Sequence, residues 1–270
     1  MNIQKYIEKE RQVYTDFAFR VADILESAIS NASQMDGVQQ IQNRAKEVES
    51  LSRKLDDRGI YHSETIESEI KDLAGCRVIF YHNSDLNTFL NSSIVSENFE
   101  VDWDESKIHH PDYDAQSSND FYMGHHFVVA LKTERVKLPE FVKFAELRCE
   151  IQVQTLLNHA WSETIHDITY KKRGSKGFGD RAMAKIDERL LSIMKDYLRP
   201  AGYEFQKVKH DFTDLEAGLK IFDRNITQMI AGIKNANELY DLLERYKDYV
   251  LPNYTDYSSF ANEIYSAVES

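Results

Sequence analysis

The run from Glu150 to Tyr170 gathers ionisable groups at spacings that suit metal and phosphate chemistry. Its first residues alternate. Glu150, Gln152 and Gln154 fall on one side of an extended strand and Ile151 and Val153 on the other, which predicts a strand with one wet face. A helix follows at once. On it His159, Glu163 and His166 stand at i, i+4 and i+7 and form a single polar stripe. A carboxylate on a strand, facing a cleft edged by a polar helix, can hold a divalent cation through oxygen and set it against phosphate. The stripe also has spacings that can ligate zinc from one helix. HExxH is absent and no cysteine lies nearby, so the preferred reading is a hydrogen-bonded stripe that orients carboxylates.

Three further patches carry chemistry. Arg44-x-Lys46-x3-Ser50-x3-Lys54 is expected on a helix, where Lys46, Ser50 and Lys54 share a face able to hold several phosphate oxygens. The plainer alternative is a solvated helix face balanced by Glu47, Glu49 and Asp56. In Lys71-Asp72-Leu73-Ala74-Gly75-Cys76-Arg77, Asp72 sits at the mouth of a strand, where a carboxylate can ligate magnesium, and Gly75 permits a close approach. A helix-end aspartate beside a surface arginine is the alternative. In Phe121-Tyr122-Met123-Gly124-His125-His126, an aromatic beside a glycine can stack on a base or can anchor a loop to the core.

The elements that must position these residues follow from periodicity. Residues 1–32 read as an amphipathic helix marked by Tyr6, Val13, Phe17, Val21, Ile24 and Ala28. A second helix is expected over 38–56, after a break near 35–37. Strands are expected at 76–81, 126–131 and 145–154, with an edge strand at 99–103 and a short helix at 86–92. An acidic loop spans 104–120, too long for a mere connector. The final helix of this core runs over 155–170. A basic, Gly-rich joint, KKRGSKGFGD, then leads to helices marked by Ile186–Tyr197, Leu215–Ile233, Leu239–Tyr246 and Phe260–Val268, with Pro200 and Pro252 as stops. The expected organisation is an N-terminal helix (1–35), an α+β core with a mixed sheet (36–175) and a helical C-terminal region (176–270).

Composition narrows the classes. The chain has 270 residues, 42% of them hydrophobic, with only 10 Gly and 4 Pro, which favours helices over a turn-rich sandwich. Its 33 basic and 45 acidic residues give a net charge of −12, a poor footprint for DNA or for general RNA binding. The first residues, MNIQKYIEKERQVY, lack an apolar signal region and no apolar run approaches a membrane span, so a cytoplasmic protein without membrane contact is expected. Cys76 and Cys149 both fall in expected strands and read as buried, reduced thiols, with a disulfide or metal pair as the alternative.

In order and spacing, the four patches resemble the RelA/SpoT-type synthetase domain of alarmone synthetases. That family shows R-x-K-x3-S-x3-K, D-x-x-G-x-R at a strand start, a G-Y-R-S-x-H-type loop, and E-x-Q-x-R-T running into H-A-W-x-E-x-x-H-D. Here stand Arg44/Lys46/Ser50/Lys54, Asp72/Gly75/Arg77, Tyr122/His126, and Glu150/Gln152/Thr155 followed by His159-Ala160-Trp161, Glu163, His166 and Asp167. The match covers about half the chain.

The resemblance implies a nucleotidyltransferase-like mixed sheet flanked by helices, and transfer of pyrophosphate from ATP to a ribose 3′-hydroxyl. It implies that Asp72 and Glu150 hold Mg²⁺ and that Glu150 activates the attacking hydroxyl. Arg44 and Arg77 would pack on adenine, and Lys46, Ser50 and Lys54 would hold the ATP phosphates. Tyr122 would stack on the acceptor base, with His126 and Gln152 on the acceptor side and His159, Glu163 and His166 in support. Met123 and Gln154 stand where the family has arginines, both on the acceptor side, so recognition of acceptor phosphate is weakened there. GDP or GTP is the default acceptor. Toxin-type relatives act on the tRNA 3′ end or make adenosine alarmones, and the basic joint Lys171, Lys172, Arg173 and Lys176 could touch an RNA backbone or be a solvated linker. A catalytically inactive nucleotide-binding regulator is a third reading, against which intact Asp72 and Glu150 speak. No hydrolase domain is evident, so control is expected through 181–270, by homo-oligomerisation or a regulatory partner.

Overall fold

The computed structural model describes residues 1–32, 35, 37–109, 123–170, 179–216, 234–235, 237–238 and 241. The chain divides into two compact units, Met1–Gln206 and Lys207–Ser270.

The N-terminal helix forms as expected. A short turn α1 (Ile3–Lys5) and a π-helical turn (Tyr6–Glu10) lead into α2 (Arg11–Ser30). Tyr14, Phe17, Ala18, Val21, Leu25 and Ile29 recur every three or four residues and are buried on one stripe. That stripe covers one face of a five-stranded sheet of order β1-β2-β5-β4-β3. The strands are β1 (Val38–Ala45), β2 (Ala74–Phe80), β3 (Phe99–His109), β4 (Gly124–Leu131) and β5 (Cys149–Thr155). Among the described strands only β2 and β5 run parallel; the other neighbours are antiparallel.

The single helix expected over 38–56 is wrong in its first half. Val38–Ala45 is the edge strand β1, and only Val48–Asp57 is helical, as α3. The segment VQQIQNRA has no strong helix stop, but pairing with β2 from Val38↔Phe80 to Ala45↔Ala74 satisfies its backbone. Tertiary pairing overrides a weak local propensity. Gly37, with φ +88, turns the chain into this strand, and its carbonyl accepts from the Tyr81 amide at 2.9 Å. The expected loop at 104–120 is also strand up to His109, because β4 pairs with it through Lys107↔His126 and His109↔Gly124, across an irregularity between Asp102 and Lys107. Residues 110–122 lie outside the described residues. The strand expected from 145 begins at Cys149, after a 3-10 turn at Val142–Phe144.

Connecting helices are short: α4 (Ile66–Glu69), α5 (Asn83–Asn91), α6 (Ile94–Asn98) and α7 (Thr133–Val136). After β5 the chain enters α8 (Leu156–Ile165), where the Thr155 hydroxyl caps the Asn158 amide, and a π-helical turn His166–Tyr170 extends it. Trp161 and Ile165 of α8 pack with Leu190 and Met194 in a small second core, and the Trp161 indole donates to the Leu190 carbonyl at 3.0 Å. Those partners belong to α9 (Asp180–Ser192) and the π-helical turn Ile193–Leu198 that follows it.

Pro200 does not stop the chain. It is the second residue of α10 (Arg199–Glu216), directly after that π turn. The widened turn and the first-turn position remove the need for the amide hydrogen that proline lacks. In the unit Lys207–Ser270 the described residues continue α10 to Glu216. The helices expected beyond it, Pro252 and the basic joint fall outside the described residues, apart from isolated positions. Cys76 and Cys149 are both buried and free. Among the described residues no helix is long and apolar enough to cross a membrane.

Candidate active site

Strand register builds the floor of the site. Cys76, Val78, Phe80, Ile151, Val153 and Val129 point into the core beneath α2. Period two therefore sends Gly75, Arg77, Glu150, Gln152 and His126 to the opposite face. Pairing aligns Gln42, Arg77, Gln152, His126 and Lys107 in one row across all five strands. The adjacent row holds Arg44, Gly75 and Glu150. Gly75 contributes no side chain between the other two, which leaves the cleft open there.

Two lobes share this floor. The first, of about 470 Å³, is bounded by Gln42, Arg44, Lys46, Asp72, Glu150 and His159. The second, of about 550 Å³, runs from Ser50, Arg53 and Lys54 to His109, His126 and His166. Arg44, Lys46, Asp72, Arg77, Gln152 and Glu163 line both.

A continuous chain of polar contacts crosses the floor. Arg77 donates from Nη1 to Glu163 at 2.8 Å and from Nε and Nη2 to the Gln152 amide oxygen at 3.2 Å. Its Nη1 also meets His159 Nδ1 at 3.2 Å. Gln152 Nε2 donates to Glu150 Oε2 at 2.7 Å, and Glu150 Oε1 lies 3.2 Å from His126 Nδ1. The His126 ring meets His109 edge-on, with centroids 4.7 Å apart. Burial on its own would raise the Glu150 carboxyl, and Asp72 adds to that. The bond and charge of His126, with the Gln152 amide, outweigh both and hold it below its ordinary value. Burial and the Arg77 charge push the His159 imidazole down, so it meets the guanidinium as a neutral acceptor.

The second charged centre is Asp72. Lys46 Nζ bonds its Oδ2, and Lys54 Nζ bonds its Oδ1 at 2.9 Å. Lys46 precedes α3 rather than lying on it. The expected i, i+4, i+8 helix face therefore holds for Ser50 and Lys54 only. Lys46 reaches the cleft because its backbone extends β1, with its amide bonded to the Leu73 carbonyl at 2.9 Å. The Tyr6 hydroxyl pins its carbonyl at 2.8 Å, so the N-terminal helix helps to position the site.

Burial alone would raise the Asp72 carboxyl, but the two ammonium groups outweigh it and hold it at about 2. A folded-state value below the ordinary 3.8 gives a stabilisation that is complete above that value and lost as pH falls towards 2. The contribution is on the order of 2 kcal/mol. Urea midpoints measured from about pH 5 down to about pH 2.5 should therefore fall more steeply for the native chain than for Asp72→Asn. Parallel slopes would show that Asp72 makes no such contribution.

The donor set fits a magnesium ion. Asp72 and Glu150 are both held ionised, and both line the first lobe. Two carboxylates completed by phosphate and water oxygens are an ordinary magnesium environment. Among the described residues no cluster of three or more His, Cys, Asp or Glu could hold a metal by itself.

The structure brings together Arg44, Lys46, Ser50, Lys54, Asp72, Arg77, His126, Glu150, Gln152, His159, Glu163 and His166 around this cleft. Tyr122 lies outside the described residues. Gln154 departs from the expected wet face: it is 1% exposed, and its oxygen accepts from the Ser162 hydroxyl at 3.2 Å, because α8 folds back over that end of β5. His109 and Arg53 also line the cleft: the sequence places His109 in the acidic loop, and Arg53, one residue from Lys54 on α3, falls outside the motif spacing.

The fold is that of the alarmone synthetases. Small alarmone synthetase 1 from Bacillus subtilis superimposes with a TM-score of 0.60 at 18% identity, over 78% of this chain and 99% of that one. A GTP pyrophosphokinase family protein from Streptococcus pneumoniae gives 0.55 at 20% identity, over 78% and 94%. Small alarmone synthetase 2 from Bacillus subtilis gives 0.55 at 21% identity, over 76% and 98%. No curated protein sequence matches the chain. Residues 43–175 match the family described as "Region found in RelA / SpoT proteins". That span holds every residue named above as lining the cleft except Gln42.

Proposed function

We propose that this chain is an ATP-dependent pyrophosphokinase that transfers pyrophosphate to the 3′-hydroxyl of a nucleotide ribose, with GDP or GTP as acceptor. The observation that carries this reading is the pairing of two ionised carboxylates, Asp72 and Glu150, with a cationic wall of Arg44, Lys46, Lys54 and Arg77 in one cleft. Such a cleft neutralises a triphosphate and retains a base for the attacking hydroxyl. The structural relative small alarmone synthetase 1 has been solved bound to its product pppGpp, which supports a guanosine acceptor.

In this reading Lys46, Ser50 and Lys54 hold the phosphates and Arg44 and Arg77 flank the adenine. Arg77 is oriented for this by Gln152, His159 and Glu163. Glu150, steadied by Gln152 and His126, takes the proton as the acceptor oxygen bonds to the β-phosphorus. The bridge to the α-phosphate breaks and AMP leaves. Asp72 and Glu150 would hold Mg²⁺, which when bound offsets the charge developing on the transferred group.

A second reading keeps the chemistry and changes the acceptor to the tRNA 3′ end or an adenosine nucleotide. It is favoured by Met123 and by the buried, uncharged Gln154, which leave the acceptor side without the arginines of the family pattern. The test is label transfer from γ-labelled ATP with Mg²⁺ to GDP, GTP, AMP, ADP, ATP or tRNA in turn. Labelled guanosine product supports the first reading, label on tRNA or adenosine nucleotides alone supports the second, and transfer to none overturns both.

A further inference from the structure

We propose that Lys46 and Lys54 compete with the divalent cation for Asp72, so that the metal gains this ligand only when anionic oxygens draw the lysines away. The inference deepens the proposed triphosphate site and rests on it. Both Asp72 oxygens already carry an ammonium partner, Lys46 on Oδ2 and Lys54 on Oδ1 at 2.9 Å. The three side chains are only 13%, 32% and 20% exposed, so water screens the group weakly. Two ammonium groups against one carboxylate leave a local surplus of positive charge, and Arg44 and Arg77 border the same cleft.

A magnesium ion on either oxygen would sit about 3–4 Å from an ammonium bound to that same oxygen. Like charges at that range repel strongly in a weakly screened site. The lysines have somewhere else to go. A lysine's four-carbon stem has several rotatable bonds, and Ser50 and Lys54 share one face of α3 that lines the second lobe, where a polyphosphate would present oxygens. The backbone need not follow, because the Lys46 carbonyl is fixed by the Tyr6 hydroxyl and its amide by Leu73. Binding of a triphosphate would release Asp72 to the metal, and by reciprocity the metal would tighten the triphosphate.

The test uses Mn²⁺ as the probe and counts free Mn²⁺ by electron paramagnetic resonance, with the full chain and no nucleotide. Lys54→Met should tighten Mn²⁺ binding about tenfold or more over the native chain, since removing one competing charge of this kind is worth at least that factor. Adding Asp72→Asn to Lys54→Met should return the affinity to the native level. Lys46→Met gives a second, independent variant, and a thermal melt of each confirms folding. Equal Mn²⁺ affinity in the native chain and both folded lysine variants overturns the proposal. A gain that survives Asp72→Asn also overturns it, because the effect would then be general charge and not competition for this carboxylate. Neither result depends on pyrophosphate transfer, so a failed transfer assay and a failed metal competition remain separate outcomes.

Discussion

Glu150→Gln should lower pyrophosphate transfer by about 10³-fold while ATP still binds, since positioned general-base catalysis contributes about 10²–10⁴-fold. The substitution keeps shape and removes charge. Glu150 now accepts from Gln152 Nε2 on one oxygen and faces His126 Nδ1 on the other. A glutamine amide has one acceptor, so it can answer only one of these donors. The unanswered donor should cost about 1 kcal/mol of stability, too little to unfold the domain. Transfer is followed from γ-labelled ATP, ATP affinity by calorimetry and folding by a thermal melt. If the folded variant turns over within about tenfold of the native rate, Glu150 is not the base.

The largest structural effect is expected at Phe17→Ala. Phe17 is fully buried in the stripe of α2 that covers the sheet, with its ring 5.4 Å from that of Phe144. Deleting a buried ring of this size costs about 3–5 kcal/mol through lost transfer energy and the cavity left behind. The melting temperature should fall by about 10 °C. Because α2 lies beneath the floor and not in the cleft, a variant kept below its melting point should retain its ATP affinity. A drop under about 2 °C would mean that the helix is not anchored through this ring.

Much of this arrangement was legible in the sequence, for physical reasons that differ by element. The alternation in Glu150–Val153 and the stripe His159/Glu163/His166 came through because burial on one face and polarity on the other leave a periodic trace. Strand β1 left no such trace. Both of its faces are partly wet and its stability lies in pairing with β2, so its residues read as helix. That reading puts Lys46 on a helix, yet the residue still reaches Asp72 from the end of β1. Gln154 misled in another way. Its strand position is right, but whether a polar residue at a strand end is wet depends on where the next helix lies, and sequence period does not encode that. The sequence hides His109 because its strand is held by pairing with β4, through Lys107↔His126 and His109↔Gly124, and not by local alternation.

The row Gln42–Arg77–Gln152–His126–Lys107 has a consequence for how such a cleft can be remade. Adjacent strands lie about 4.8 Å apart, so the sheet serves as a graduated scale on which each chemical group occupies a fixed mark. Distances between marks belong to the backbone, and side chains can be exchanged without moving them. A lineage, or a protein engineer, can therefore exchange the side chain at one mark while the spacing between Arg77 and Glu150 is preserved. Substrate choice becomes a matter of lettering on a ruler whose divisions do not change.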